Sequence, residues 1–379
     1  MNNCNVCYQE LKSPIFRAVS DQSLTSLCEA RAGRVVVWSC NHCGHLCGDP
    51  LNDTESYYEA DYRILLQNEE EDQIYEMDGE RIIYRTDHQV NTLIDKLPMP
   101  TGSVVLDYGC AKASTPRRLL SQRPDLQMHL FDVSEMYRAY WEQFLSSERQ
   151  AVHTTPSKWR ENFDAITSFF ALEHIPNPRD TLRHIASLLK EGGHFYAIVP
   201  DAFGNVADFV VIDHVNHFTP SSLTVLLELE GFNEISIDSQ VHRGAHVVLA
   251  RKGRGTPQVL NVELITQKSK EVAAYWGSIS HRIQCFETEY PHGPVAIYGS
   301  GFYGAFIATT LTNPDRVRCF LDRSPFQQSK KLFGREVLAP ENIPADIQIL
   351  YIGLNPAIAR KSIGPQSFPH LPNIKLVYL

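Results

Sequence analysis

The sequence lacks several features that would assign it to a common class. It has no run of lysine or arginine, and its 35 basic residues are outnumbered by 44 acidic ones, which gives a net charge of −9. Because nucleic-acid-binding proteins usually carry a basic patch, this balance argues against a DNA or RNA partner. No apolar run approaches the roughly 20 residues that span a bilayer, so we expect no membrane partner.

The beginning of the chain also lacks the pattern of a secretory signal. Its first ten residues, MNNCNVCYQE, contain no basic stretch followed by an apolar core. We therefore expect a cytoplasmic protein. In a reducing compartment, nine cysteines with two C-x-x-C pairs among them favour metal binding over disulfide bonds.

What is present is the composition of a globular protein with a large core. Hydrophobic residues make up 43% and charged residues 21% of the 379 residues. A chain of this length suggests two or three domains. The sequence gives no indication of the oligomeric state.

Each C-x-x-C pair can form a tight turn that directs two thiolates at one point. Zn²⁺ prefers four tetrahedral ligands and binds thiolate well. We therefore predict a closed, structural Zn²⁺ site formed by Cys4, Cys7, Cys40 and Cys43. The alternative is four reduced, buried cysteines without a metal.

Three more residues near the second pair could replace a ligand, namely His42, His45 and Cys47. The stretch between the two pairs is longer than in a typical zinc finger. Because Leu27 and the run 35–38 have strand composition, we predict an inserted hairpin there.

The middle of the chain alternates between short apolar strands and amphipathic helices, which predicts an α/β fold with a parallel, doubly wound sheet. In such sheets, ligands bind beyond the carboxyl ends of the strands. Asp107 and Gly109 follow the first strand, and Asp132 ends the second, where it can accept hydrogen bonds from a ribose diol. The predicted strands are 104–106, 128–131, 151–154, 163–170 and 194–199, with helices over 88–97, 116–122 and 182–189, the last closed by Gly192-Gly193.

Three segments in this order, VLDYGCAKAS, LFDVSEMY and FDAITSFFALEHIPNP, resemble the class I S-adenosylmethionine (SAM) methyltransferases. The resemblance implies that Asp107 and Gly109 line the methionine end of SAM and that Asp132 holds its ribose. Ala111 continues the cofactor loop where the family usually has another glycine. The resemblance places Val133 against the adenine, and beneath the sulfonium it places Phe170, Leu172, Glu173 and His174.

A complete G-x-G-x-x-G, at Gly299, Gly301 and Gly304, follows a predicted strand in the C-terminal part, and Asp322 ends the next strand. These are the parts of a dinucleotide-binding fingerprint. We predict that these four residues bind the nucleotide or phosphate of a substrate. NAD chemistry is one alternative, and close packing of helix on sheet without a ligand is another.

The order of parts, together with FLDRSPFQQSKKLFG and ILYIGLNPAIARKSI, resembles the sugar C-methyltransferases. The resemblance implies methylation of a nucleotide-linked deoxy-keto sugar at carbon. Tyr62, ahead of the SAM domain, lies where such enzymes close a lid over the site, and we predict it as a substrate contact. The predicted parts are a zinc-binding module (1–55), a helical or lid connection (56–100), a SAM domain (101–252), a linker helix (253–292) and a smaller Rossmann-like domain (293–379).

The stretch VIDHVNHFTP, residues 211–220, matches a Glu-His-x-x-Tyr-Phe-like segment of that family, which carries a histidine base. We predict that His214 removes an α-proton to form an enolate, with Asp213 and His217 as its catalytic partners. A histidine, with a pKa near 6.5, suits this role. Transfer to oxygen or nitrogen of a sugar or other metabolite, a metal site at His214 and His217, and a non-enzymatic scaffold are the alternatives.

Overall fold

The computed structural model describes residues 3–58, 72, 74–78, 81–255, 261–328 and 330–379. Tyr62 lies outside the described residues. The strands are β1 (Pro14–Arg17), β2 (Gln22–Leu24), β3 (Ala30–Ala32), β4 (Val36–Ser39), β5 (Leu46–Gly48), β6 (Ile74–Asp78), β7 (Arg81–Tyr84), β8 (Val104–Tyr108), β9 (Gln127–Asp132), β10 (Gln150–Val152), β11 (Phe163–Phe169), β12 (Leu189–Pro200), β13 (Asn216–His217), β14 (Phe232–Asp238), β15 (Ala245–Lys252), β16 (Val295–Tyr298), β17 (Val317–Leu321), β18 (Lys331–Leu332), β19 (Arg335–Leu338), β20 (Ile349–Ile352) and β21 (Lys375–Tyr378). The helices are α1 (Thr54–Ser56), α2 (Arg85–Lys96), α3 (Ser114–Gln122), α4 (Arg138–Trp141), α5 (Pro178–Leu188), α6 (Pro220–Leu229), α7 (Glu263–Glu289), α8 (Phe302–Thr310), α9 (Pro325–Gln328) and α10 (Pro356–Ser362).

The chain divides into two compact units, each assembled from separate segments. The first unit contains Met1–Leu11, Cys40–Asn205 and Val215–Ile265, and the second contains Lys12–Ser39, Val206–His214 and Thr266–Leu379. The segment predicted as a zinc-binding module, 1–55, therefore contributes to both units. The remaining boundaries stay predictions.

The sheet of the first unit has the strand order β10-β9-β8-β11-β12-β15-β14. Strands β8 to β12 pair in parallel, whereas β15 is antiparallel to both β12 and β14. The chain runs outward from β8 to β10 and then returns to the other side of β8 at β11. The carboxyl ends of β8 and β11 therefore form the switch point where such sheets bind ligands, and the predicted doubly wound sheet is confirmed.

Helix α5 shows why this unit folds as alternating strands and helices. Its buried side chains Leu182, Ile185 and Leu188 recur every three residues, so one apolar stripe faces the sheet. The helix ends at Leu188 and the chain enters β12 at once, so the prediction that Gly192-Gly193 closes the helix is wrong. Both glycines lie within β12, where its register with β11 shifts between Phe163 and Ala165.

The sheet of the second unit has the order β18-β19-β17-β16-β20-β21, with every pairing parallel except β18 with β19. Trp276, buried on the part of α7 that belongs to this unit, packs its ring 4.5 Å from the ring of Phe306 on α8. A hairpin does lie between the cysteine pairs, as β2 and β3, but the run 35–38 that suggested it contributes to β4, which pairs with β1. Leu27, however, lies in the turn between these strands instead of in one of them.

Within the described part of the chain, no helix has both the length and the apolar character needed to cross a membrane.

Candidate functional site

Asp107 stands at the carboxyl end of β8 with its side chain almost fully buried. Thr167 on β11 donates a hydrogen bond from Oγ1 to Asp107 Oδ1 over 2.6 Å. Burial raises the pKa of Asp107 to about 7, the bond from Thr167 opposes this shift, and the charge of Asp132 adds to it. A buried acid with so perturbed a pKa at a switch point is typical of a functional site.

Gly109 turns the chain directly after β8. Its φ is +77°, and a Cβ at this position would lie 2.8 Å from Cβ of Ala171, so only glycine fits. Ala111, where the methyltransferase family usually has another glycine, also adopts a positive φ of 45°. Its amide donates to Asp132 Oδ2 over 2.8 Å and its carbonyl accepts from Trp141 Nε1 over 2.6 Å. These two bonds hold the loop in a conformation that alanine adopts only with strain.

Asp132 ends β9 next to this loop and is mostly buried. Its Oδ1 accepts a hydrogen bond from the amide of Ser134 over 2.9 Å, and its Oδ2 accepts from Ala111. Because each carboxylate oxygen can accept a second bond, both remain able to accept from a diol. The neighbouring residue Val133 is half exposed.

The chain after β11 forms the other side of the switch point. Phe170 has a positive φ of 52°, and the guanidinium of Arg85 lies 4.0 Å from the centre of its ring. The following turn, Leu172–His174, is buried throughout. Nδ1 of His174 lies 2.9 Å from the hydroxyl of Tyr58. All nine residues predicted to contact SAM thus lie at the carboxyl edge of this sheet.

The predicted zinc ligands Cys4, Cys7, Cys40 and Cys43 converge in the first unit, with all four Sγ atoms within 4.8 Å of one another. Sγ of Cys4 lies 3.7 Å from Sγ of Cys43, and Sγ of Cys7 lies 3.4 Å from Sγ of Cys40. A tetrahedral zinc–thiolate site with bonds of about 2.3 Å requires sulfur–sulfur distances of about 3.8 Å. The four cysteines therefore fit Zn²⁺.

The electrostatics of the cluster also favour a cation. The hydrogen bond between Cys4 and Cys40 is the largest cause that raises the pKa of Cys4 to about 12, and the same bond lowers the pKa of Cys40. The four thiols thus compete for their protons, and a metal ion would stabilise all of them as thiolates. The alternative ligands are not members of this four-sulfur group. His42 is exposed, Nε2 of His45 lies 3.2 Å from Asn216 Oδ1, and Cys47, which also contacts Cys4, donates to Asn5.

In the second unit, the buried ring of His214 contacts a carboxylate through Nδ1, and that carboxylate is Asp208. An ionised Asp208 can only accept, which would place a proton on Nδ1 and, in a neutral ring, the lone pair on Nε2. The neighbouring Asp213 instead accepts from Ser26, with 2.7 Å between Ser26 N and Oδ1 and 2.8 Å between Ser26 Oγ and Oδ2.

His217 lies in β13, which pairs antiparallel with β5 in the first unit. The helical i, i+3 geometry on which a metal site shared by His214 and His217 would depend is therefore absent. Sequence reasoning named Asp213 as the carboxylate beside His214 and missed Asp208. Nothing in the local sequence ADFVVIDH marks Asp208, because the 3₁₀ turn Val206–Val210 is what brings it to the histidine.

In the glycine fingerprint, two positions have a clear packing role. A Cβ at Gly304 would lie 1.9 Å from the carbonyl oxygen of Gly299, and one at Gly299 would lie 2.4 Å from that of Gly353. Gly301 has no such neighbour within 4 Å. Asp322 accepts from the amide and hydroxyl of Ser300 at 3.0 and 2.7 Å, so its carboxylate secures the glycine loop.

This geometry lets two roles of the glycines be separated. Gly304→Ala should destabilise the second unit by about 3 kcal/mol through overpacking. Gly301→Ala should leave the free energy of unfolding within about 0.5 kcal/mol of wild type, because its φ of −89° suits alanine. If this loop binds a nucleotide, Gly301→Ala weakens that binding about tenfold. Denaturation and calorimetry with nucleoside diphosphates measure both effects, and unchanged nucleotide affinity in Gly301→Ala would leave the glycines with packing alone.

Residues 80–237 match a family model described as a methyltransferase domain. The ubiquinone biosynthesis O-methyltransferase of Xanthomonas axonopodis pv. citri is 32% identical over 102 residues, which cover 26% of this chain and 43% of that protein. The enzyme of the same name from Albidiferax ferrireducens is 30% identical over 129 residues, 31% of this chain and 50% of that protein. The chain thus spans about half the length of these curated relatives.

Among solved structures, the YcgJ protein of Bacillus subtilis aligns with 44% of this chain and 99% of its own at 16% identity. Its TM-score of 0.36 is too low to support a conclusion about function. The family match rests instead on the same residues that build β8, β9 and β11. Together with the strand order and the turn at Gly109, it identifies the central α/β sheet as a class I methyltransferase domain.

Proposed function

We propose that the protein is a SAM-dependent methyltransferase that methylates a nucleotide-linked deoxy-keto sugar at carbon. The observation that carries the SAM assignment is the arrangement of Asp107, Gly109 and Asp132 at the switch point of the sheet. A buried acid whose pKa is raised to about 7 gains most from a nearby cation, and SAM carries both an ammonium and a sulfonium.

SAM brings an activated methyl group, so the protein's task is to position the reactants and activate the acceptor. In this proposal, Asp132 binds the ribose hydroxyls and Asp107 faces the methionine end. Val133 provides apolar surface for the adenine. The buried turn Leu172–His174 excludes water below the reacting centre.

The acceptor is activated by His214. Its Nε2 would take the α-proton from the carbon beside the ketone, and the electron pair of that C–H bond would form the enolate. SAM, when bound, would supply the methyl group, its S–CH₃ bond breaking so that the neutral thioether leaves. Asp208 holds the ring through Nδ1 and stabilises the imidazolium that forms. Asp213 and His217 then serve as supports of the segment, through Ser26 and through pairing with β5, respectively.

The zinc site has a structural role in this proposal. Four cysteine ligands complete a tetrahedral coordination and leave no open position for substrate. The chemistry is therefore assigned to the SAM domain and His214. The C-terminal glycine loop, with Gly301 as its unobstructed position, is proposed to hold the nucleotide of the substrate.

Transfer to oxygen is the second candidate. It is favoured by the names of the curated relatives, which are O-methyltransferases of ubiquinone biosynthesis. Nε2 of His214 could equally take the proton of a hydroxyl. The difference between the two reactions is that only methylation at carbon requires loss of a C–H proton.

Three measurements test the proposal. Calorimetry with SAM tests the cofactor. A mass-spectrometric screen of nucleotide keto-sugars with SAM tests the reaction, with a gain of one methylene as the expected result. Incubating the acceptor in D₂O without SAM then separates the two candidates, because a carbon acceptor exchanges its α-proton and a hydroxyl acceptor retains all its C–H protons. Absence of SAM binding by the folded protein would overturn the proposal.

A further inference from the structure

Asn216 makes a hydrogen-bond network that the proposed chemistry does not use. Its side chain is buried and its amide nitrogen donates to two carbonyl oxygens, Leu172 at 2.9 Å and Ile175 at 2.7 Å. These carbonyls flank the turn Leu172–His174 of the proposed SAM site. Its amide oxygen accepts from Asn5 Nδ2 at 2.5 Å and lies 3.2 Å from Nε2 of His45.

This network satisfies Asn216 completely. A primary amide has two N–H donors and an oxygen with two lone pairs, and all four are used. The two carbonyl acceptors fix which end of the amide is nitrogen, and the oxygen therefore faces Asn5 and His45. A buried amide whose donors and acceptors are all hydrogen-bonded is held in one orientation. A shift of one partner therefore moves the amide and, through it, the other partners.

The partners on the oxygen side belong to the two cysteine turns. Asn5 lies between Cys4 and Cys7, and His45 follows Cys43 by two residues. The turn around Cys40 is closed by bonds from the Cys40 amide to the His45 carbonyl at 2.8 Å and from the Gly44 amide to the Cys40 carbonyl at 3.0 Å. Asn5 Nδ2 also reaches the carbonyl of Pro176, directly after Ile175, at 3.4 Å.

We propose that Asn216 is a positioning residue that couples the four-cysteine metal site to the Leu172–His174 turn, so that metal binding and SAM binding strengthen each other. The inference rests on the proposed function, because it requires that this turn contacts SAM. The metal orders the two cysteine turns, these place Asn5 and His45, and Asn216 carries their position to the turn. By linkage, SAM must then hold the metal more tightly by the same factor.

The experiment uses zinc-loaded full-length protein and measures its zinc affinity by equilibrium competition with a chromogenic chelator, with and without saturating SAM. SAM should raise the zinc affinity of wild type by about fivefold or more, the lower end of ordinary coupling. The variants Asn216→Ala and Asn5→Ala should start fully loaded yet show the same zinc affinity with and without SAM. Asn342→Ala, at an exposed asparagine of the second unit, should behave as wild type.

Asn5→Ala keeps the inference testable should Asn216→Ala fail to fold, because it leaves the two bonds from Asn216 to the turn in place. A SAM-induced gain in zinc affinity as large as that of wild type in either variant would overturn the coupling, as would equal zinc affinities of wild type with and without SAM while calorimetry shows SAM bound. Absence of SAM binding to wild type would instead overturn the proposed function and this inference with it.

Discussion

Replacing His214 by asparagine should lower kcat by about 10²- to 10⁴-fold, the usual contribution of a general base. The asparagine side chain can still donate a hydrogen bond to Asp208. Its amide nitrogen has no basic lone pair, however, so it cannot take a proton from the acceptor. The affinity for SAM should stay unchanged, because His214 is not among the residues proposed to bind it. Single-turnover kinetics and calorimetry with SAM check the two halves of this expectation.

Two further variants sharpen this prediction. Asp208→Asn leaves the base in place but removes the carboxylate that holds Nδ1, so kcat should fall by less than in His214→Asn. His281→Asn, an exposed histidine on α7, should retain wild-type activity. In the Asp208→Asn variant, exchange of the α-proton in D₂O should slow by the same factor as turnover. Near-normal turnover of His214→Asn would exclude this histidine as the base.

Much of the structure of the first unit could be predicted, because short stretches of sequence indicate its strands and turns. Short apolar strands such as β8 and β9 are bounded by turn residues, and a chain of alternating strands and helices has few possible sheets. The glycine at 109 and the acids at 107 and 132 follow from their positions at strand ends. The sequence does not explain why alanine can replace the usual glycine at position 111. The hydrogen bonds that hold Ala111 join it to Asp132 and Trp141, which lie far away in the sequence.

Residues 208–216 show what the sequence alone could not predict. The sequence places Asp213 beside His214, and adjacency suggested that the two interact. Asp213 is buried, and a buried carboxylate needs hydrogen-bond donors. These donors are the amide and hydroxyl of Ser26, whereas the carboxylate that contacts Nδ1 of His214 is Asp208. Neither Asp208 nor Asn216 belongs to a recognisable sequence motif. Their contacts, such as those with His214 and Asn5, form only in the folded chain.

Replacing one zinc ligand, by Cys43→Ser, should remove the metal and destabilise the first unit severely. The segment Lys12–Ser39, which belongs to the second unit, separates Cys4–Cys7 from Cys40–Cys43 in the sequence. A metal bound by all four cysteines would therefore cross-link distant parts of the chain. Structural zinc sites contribute folding energy directly, and loss of a metal site belongs to the class of changes that cost about 4 kcal/mol or more. Zinc content by mass spectrometry and denaturant unfolding measure the two effects.

Two other cysteines serve as matched controls for this experiment. Cys285 is exposed on α7, so Cys285→Ser should change the free energy of unfolding by less than about 0.5 kcal/mol. Cys319 is buried in β17, so Cys319→Ala should cost about 1 kcal/mol as a small packing defect and leave the zinc content unchanged. A Cys43→Ser variant that kept one zinc per chain and wild-type stability would contradict the four-cysteine assignment. The three variants together distinguish loss of a thiol, loss of a buried thiol and loss of a ligand, and only the last should also weaken SAM binding, through Asn5 and Asn216.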